Sequence, residues 1–377
     1  MSTTELAAMP AHPAPRAVIA PKGRSRRARS TLSALLFLAP FLLVYAIFLL
    51  YPVVQAFYMS GFNWDLLSAN HTFIGTDNYV RMLWGTGMTW DVGNEWALRL
   101  VLVGGAAAWA YHLWNRRSAP RAAAGVAITG LLFAFVLGLH PSADGSWNDA
   151  DFWISLRNTL VFTLISTPLL IALGLGLALA LHNQRRGRGV YRAVFFLPYV
   201  LPISAVTLIW SYLLNPDRGL IAGFLGWFGI HGIPFLSDPH LAMPSIIVTT
   251  VWWSVGFNLV LFLAGLQDIE PNLYEAAGLD GASPWQRFRH ITWPGLRHVT
   301  LLVTITQLIA SFQIFGQVFI MTKGGPGTAT QVVIQHIYET GFKNYQLGYA
   351  ATLSVFLFLV MAAVSAIQFR LTSKDTR

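Results

Sequence analysis

Hydrophobic positions along the chain gather into long unbroken runs rather than alternating or heptad patterns. A membrane-spanning helix needs about 20 mostly apolar residues. Eight stretches meet or approach that length: 31–54, 97–114, 122–140, 157–181, 193–214, 243–266, 299–320 and 346–369. The first follows a basic leader holding Arg16, Lys22, Arg24, Arg26, Arg27 and Arg29. Its apolar run outlasts the roughly 7–15 residues of a secretory signal core, and no small-residue cleavage site follows. It reads as a retained helix.

The polar segments between the runs differ in charge from side to side. With the N-terminus in the cytoplasm, the cytoplasmic pieces are the leader, 115–121, 182–192, 267–298 and the tail. They hold 19 of the 25 Lys and Arg residues; the outer loops hold five, and Arg99 lies inside a run. Cytoplasmic loops carry the Lys/Arg excess, so both termini are expected in the cytoplasm of a multi-pass cell-membrane protein. Composition agrees: 55% of residues are hydrophobic and 11% charged, with mean hydropathy +0.53, against about 25% charged in soluble chains. The net charge of +9 is spread over five separate pieces. It marks topology and contact with anionic lipid, not a nucleic-acid footprint. Cysteine is absent, which excludes a disulfide framework, a thiol nucleophile and a thiolate metal site.

Catalytic signatures are missing. The sequence contains no HExxH, GxSxG or GxxxxGK[ST], so it has no phosphate-cradling loop of its own. Apart from Arg99 and His112 the runs hold almost no ionisable residues, whereas intramembrane catalysis and proton coupling require them. Uphill transport by such a chain would draw energy from a partner. The pair Asp149 and Asp151 has DxD-like spacing, but falls on the outer side.

One cytoplasmic loop is more than a connector. In "EAAGLDGASPWQRF" (275–288), preceded by Pro271, the residues read as a helix, a turn and a second helix start. Pro271 suits a first helical position. Leu273, Ala276 and Ala277 share a face, and the alanines admit another backbone. Glu275 and Asp280 offer acceptors, and Gly281 can take the left-handed conformation that ends a helix. Ser283 and Pro284 look like an N-cap and first position. Phe288 and Ile291 return apolar surface toward the bundle. The alternative is a tightly packed interhelical loop.

Glu275-Ala276-Ala277, Asp280-Gly281-Ala282, Phe288, Ile291 and Pro294 together resemble the EAA loop of ABC-importer permeases. In the family's order stand "FIGTDNYVRML" (73–83), "NTLVFT" (158–163), "RRGRGVYRAVFFLPYVLP" (185–202), "LAGLQDIEPNLYEAAGLDGA" (263–282), "MTKGGPGTATQVVIQHIYETGF" (321–342) and "LGYAATLS" (347–354). They are similar to the maltose and glycerol-3-phosphate branch, the carbohydrate importers. The resemblance covers 31–83 and 152–370. It implies an all-α polytopic membrane protein with a type I ABC-importer permease bundle. The core would have six helices, with an inserted helical hairpin bringing the spans to eight. It further implies a non-catalytic subunit without a cofactor. Its partners would be a second EAA-type permease, two ATP-binding cassette ATPase subunits and an extracytoplasmic sugar-binding protein. Glu275, Ala276, Ala277, Asp280, Gly281 and Ala282 would couple the spans to the ATPases. The expected plan is a basic leader (1–30), a first core helix with its outer loop (31–83), the inserted hairpin (84–151), the permease core (152–370) with its EAA loop at 267–298, and a tail (371–377).

Residues 84–151 depart from the family pattern, and a hairpin resting on the membrane is the alternative to a spanning one. The loop "TKGGPGTAT" (322–330) reads as a re-entry turn more than a phosphate nest. Trp64, Trp90, Trp147 and Trp153 read as interface anchors.

A sugar path needs hydroxyl-binding groups and aromatic faces. Thr250, Trp253, Ser254 and Phe257 recur on one helical face, with Asn258 beside them. Gln307, Ser311 and Ile314 form a second stripe, with Gln313 and Gln317 near. The resemblance places substrate contacts on these two helices, though Trp253 and Ile314 stand where the family has polar residues. Interhelical hydrogen bonding is the rival role for the polar members. Rival functions are an ATP-independent secondary transporter, a membrane glycosyltransferase and a permease for another solute.

Overall fold

The computed structural model describes residues 37–68, 71–90, 96–115, 127, 130–131, 134–135, 138–182 and 187–372. The chain divides into two units, residues 1–55 and 56–377. Helix α1 (Phe37–Ser60) is apolar enough to span a bilayer. Its stretch in the first unit includes a π-helical turn, Ala46–Leu50, with no buried residue.

Among the described residues of the second unit, four more helices meet the length and apolarity of a span: α4 (Ala150–His182), α8 (Ala242–Gln267), the stretch Arg297–Met321, and Leu347–Ala366. The stretch Arg297–Met321 contains α11 (Arg297–Phe312) and α12 (Gly316–Met321), and Leu347–Ala366 lies within α14 (Leu347–Thr372). One bent pair of helices passes the same test only when its two halves are taken together. Helices α5 (Arg188–Val200) and α6 (Ile203–Leu213) meet at 96°, where the apolar run 193–214 alone suggests one helix; the short helix α7 (Leu220–Gly226) follows. Pro202 removes a backbone donor at the break, and Leu201 and Pro202 are extended, so the α-helical ladder cannot continue.

Between α1 and α4 lie β1 (Phe62–Asn63) and β2 (Thr72–Phe73), then α2 (Asp77–Leu83), β3 (Gly85–Trp90), α3 (Trp96–Asn115) and β4 (Leu139–Trp147). Strands β1 and β2 pair antiparallel, as do β3 and β4. The bundle is helical as expected, and the strands are short ribbons outside it. The β3–β4 ribbon joins the two ends of the inserted segment. Helix α3 falls on the segment's first expected span, 97–114, but the apolar part, Trp96–Tyr111, is shorter than a span, and most of 122–140 lies outside the described residues.

Helix α8 packs against α4, α5 and α11. With lipid on the outside, contacts of this kind depend on close approach and on polar groups bonded within the protein. Gly256 makes one approach possible: a Cβ there would overlap the Phe195 carbonyl oxygen of α5. Thr249 and Thr250 return their hydroxyl protons to the carbonyls of Ser245 and Ile246. Three apolar clusters fill the bundle. One gathers Phe162, Leu170, Ile246, Ile314 and Val318; a second Met82, Phe152, Leu156 and Leu353; a third Ala178, Leu259, Phe262, Leu296 and Val303.

Two polar anchors hold the bundle end opposite the EAA loop. Asn158 Nδ2 donates to the carbonyls of Thr328 (2.9 Å) and Gln331 (3.0 Å), and Val333 N donates to Thr159 Oγ1 (3.0 Å). These bonds fix the 322–330 loop on α4, ahead of α13 (Val333–Tyr338). Within that loop the Gly325 amide is bonded to the Thr322 carbonyl, and Thr322 and Thr330 join hydroxyls. This pairing favours the turn over an anion nest. At the start of α4, Asp149 Oδ1 accepts the Phe152 amide (2.9 Å). Its Oδ2 meets His336 Nε2 (2.9 Å) and accepts the Tyr349 hydroxyl (2.5 Å). Arg81 lies over the Tyr349 ring. Burial pushes the Asp149 pKa up, but the bonds and charge of His336, with Tyr349 and the Phe152 amide, hold it below the usual value. Asp149 is thus a helix cap and cross-link, while Asp151 is exposed.

Candidate functional site

Two sites take shape from the residues singled out in sequence. The first is the elbow between α8 and α11. Helix α9 (Pro271–Leu279) opens with Pro271 and closes in a Schellman turn. The Gly281 amide bonds the Gly278 carbonyl and the Ala282 amide bonds the Ala277 carbonyl, with Gly281 at φ +73°. That pattern satisfies the last carbonyls of the helix and requires a left-handed residue at its end. Helix α10 (Pro284–Arg287) starts from a capping box: Ser283 Oγ accepts the Gln286 amide (3.3 Å), and Gln286 Oε1 accepts the Ser283 amide (2.7 Å). Arg287 Nε donates across the turn to the Ala282 carbonyl (2.9 Å).

The elbow is fastened to the bundle from beneath. Tyr274 and Thr292 join hydroxyls at 2.9 Å, and both Tyr274 and Ile291 pack on the third apolar cluster. Its outward side carries Glu275, Ala276, Asp280 and Gly281, all exposed, with Ala277 and Ala282 half-buried. Leu279 is 91% exposed and Trp285 66%. Apolar side chains presented this way, beside a shallow hollow lined by Ala277, Asp280, Arg287 and His290, form a surface suited to a protein partner.

The second site is a cavity of about 280 Å³ between α4, α5, α8 and α11. Seven residues of the two stripes line it: Thr250, Trp253, Ser254 and Phe257 from α8, Gln307 and Ser311 from α11, and Ile314 just past its end. Asn258 is fully buried behind this wall and accepts the Gln307 amide (2.8 Å). Gln313 stands outside, exposed at the end of α11. Ser311 joins α4 through hydroxyl contacts with Ser166 (3.3 Å) and Thr167 (3.1 Å).

The bent pair α5–α6 supplies what the stripes alone do not reveal. Tyr199, at the end of α5, stacks on Phe257 with ring centroids 4.9 Å apart and lies 5.6 Å from Trp253. Trp253 Nε1 donates to the Leu201 carbonyl at the break (3.2 Å). The bend therefore delivers both an aromatic side chain and a carbonyl that fixes the indole. The prolines at 198 and 202 were the available signal. Phe162, Leu170, Thr306, Ala310 and Gln317 complete the wall outside the two stripes.

The profile of the family described as "Binding-protein-dependent transport system inner membrane component" matches residues 171–374. A lactose transport system permease protein of Rhizobium radiobacter is 37% identical over 229 residues, covering 59% of this chain and 76% of that protein. An sn-glycerol-3-phosphate transport system permease protein of Agrobacterium fabrum is 34% identical over 230 residues, covering 60% and 78%. In fold, the chain is similar to one in the crystal structure of a bacterial ABC transporter involved in the import of the acidic polysaccharide alginate. The TM-score is 0.68 at 19% identity, over 94% of this chain and 99% of that one.

Proposed function

The chain belongs to the family of binding-protein-dependent transport system inner membrane components, and from that premise we infer that it lines the path of a sugar through an ATP-driven importer. It is a multi-pass membrane permease subunit, not itself an enzyme, and works with ATPase subunits, a permease partner and an extracytoplasmic binding protein. A sugar cargo is favoured by the lactose permease relative and, above all, by the cavity. Its wall combines aromatic faces with amide and hydroxyl groups, the pairing that sugar C–H surfaces and hydroxyls require.

Thr250, Trp253, Ser254, Phe257, Gln307 and Ser311 form the proposed path, with Asn258 orienting Gln307. Gln313 is left out because it is exposed beyond the helix end. Glu275, Ala276, Ala277, Asp280, Gly281 and Ala282 form the proposed ATPase contact, supported by the exposed and capped elbow. The charge distribution favours cytoplasmic termini and a cytoplasmic elbow. The proposed plan keeps the leader, first helix, insertion, core and tail at the boundaries read from sequence.

The experiment is sugar uptake by the assembled importer carrying Ser254→Ala, Phe257→Ala or Gln307→Ala. Each should weaken uptake or shift sugar preference while the ATPase stays assembled and responsive to the binding protein. Loss of folded permease with unchanged transport per molecule would assign these residues to helix packing and move the path elsewhere.

A further inference from the structure

The cavity wall is uneven in hydrogen-bonding character. None of its lining residues is charged. Many of its donors are already committed within the chain. The Thr250 hydroxyl donates to the Ile246 carbonyl, the Ser254 hydroxyl to Thr250, and the Thr306 hydroxyl to Leu302. Gln307 Nε2 donates to Asn258, and the Trp253 indole to Leu201. Oxygen lone pairs remain: those of the three hydroxyls and of the Gln307 carbonyl. Ser311 shares its hydroxyl with Ser166 and Thr167; neutral donors are left on Tyr199, on Gln317 and on the second Gln307 N–H, and among the described lining residues no cation stands with them.

This arrangement treats two cargo classes differently. The hydroxyls of an uncharged sugar can donate to the free lone pairs, while its ring faces meet Tyr199, Trp253 and Phe257. A carboxylate or phosphate only accepts. In this cavity it would leave its hydration without a cation and would face acceptor oxygens, the arrangement in which a buried charge is most strongly disfavoured. We propose that the cavity admits an uncharged, hydroxyl-bearing glycoside and discriminates against anionic sugars, the acceptor oxygens of Thr250, Ser254, Thr306 and Gln307 forming the selective wall. The inference rests on the reading of this cavity as the cargo path.

The test uses the importer assembled in lipid nanodiscs. Tryptophan fluorescence would be titrated with matched neutral and charged probes: lactose against lactobionate, glycerol against glycerol 3-phosphate, and a neutral disaccharide against its uronic acid. Signals lost in Trp253→Phe report this cavity. Wherever a pair gives such a signal, the neutral member should bind at least tenfold more tightly. Thr306→Lys, which places a cation at a half-buried edge, should narrow that ratio at least tenfold. The wild-type comparison decides if that variant does not fold. An anionic member binding as tightly as its neutral partner would overturn the selectivity and leave the sugar-path reading standing. A folded assembly in which no probe of either class gives a Trp253-dependent signal would overturn the path reading, and the selectivity with it.

Discussion

Replacing Gly281 tests the elbow through its backbone alone. The residue sits at φ +73°, and an added Cβ would meet no other atom within 4 Å, so the cost of a side chain is conformational rather than steric. An L-residue in the left-handed region costs about 1–2 kcal/mol. Valine lies at or above the upper end because its branched Cβ crowds its own backbone, while asparagine is one of the few side chains that visits this region routinely. A penalty of 1–2 kcal/mol changes a population roughly 5- to 30-fold. The Ala282-to-Ala277 and Gly281-to-Gly278 bonds close only with this residue left-handed. A variant that avoids the strain must therefore change the angle between α9 and the Ser283 cap. The turn is exposed and belongs to none of the three apolar clusters, so thermal stability of the bundle should barely move. In proteoliposomes holding the complete importer, ATP-driven uptake should fall about fivefold or more for Gly281→Val and less for Gly281→Ala. Gly281→Asn should stay near the parent. Equal activity of the Val and Asn variants at equal abundance would refute the idea that this backbone angle sets the coupling geometry.

Asn158→Ala removes two donated bonds; the Thr328 carbonyl keeps the Gln331 amide, while the Gln331 carbonyl loses its Asn158 donor. That is a loss of about 2–4 kcal/mol, and the melting temperature of the purified subunit should drop by several degrees; an unchanged midpoint would show that the loop is held by other contacts. Asp149→Asn removes the charge that meets His336 and Tyr349 and should likewise lower the midpoint at pH 7. Because the folded pKa of Asp149 is held low, its contribution is complete above the ordinary carboxylate value of about 3.9. It disappears as pH falls through the lowered value, so the gap between parent and variant should be flat near neutrality and close only below about pH 4. For topology, Ser118→Cys in this cysteine-free chain should resist an impermeant thiol reagent applied from outside; labelling there would exclude a spanning insertion.

What could be read in advance followed the range of the forces involved. The elbow was legible almost residue by residue because its rules are local: Pro271 opens a helix, Gly281 closes one, and Ser283 caps the next. The two polar-aromatic stripes were legible while their helices lasted. Periodicity carries Thr250, Ser254, Gln307 and Ser311 to one cavity, but α11 stops at Phe312, and Gln313 then leaves the face. Helix–helix geometry was not legible. The run 193–214 has the apolarity of one span, and nothing in its composition specifies a 96° bend. Yet that bend brings Tyr199 onto Phe257 and frees the Leu201 carbonyl for Trp253. Asp149 illustrates the same limit. Its partners lie 187 and 200 residues away, so its DxD-like spacing to Asp151 was visible in the sequence while the cap and cross-link it forms were not. The cavity's chemistry depends on both kinds of information. Composition shows which polar residues are present, but only the folded helices show that the Thr250, Ser254 and Thr306 protons return to their own backbone. What they turn toward the cavity is therefore lone pairs. On the proposed reading those lone pairs suit a ligand that brings its own donors, while the neutral donors of Tyr199, Gln317 and Gln307 leave an anion without a cation.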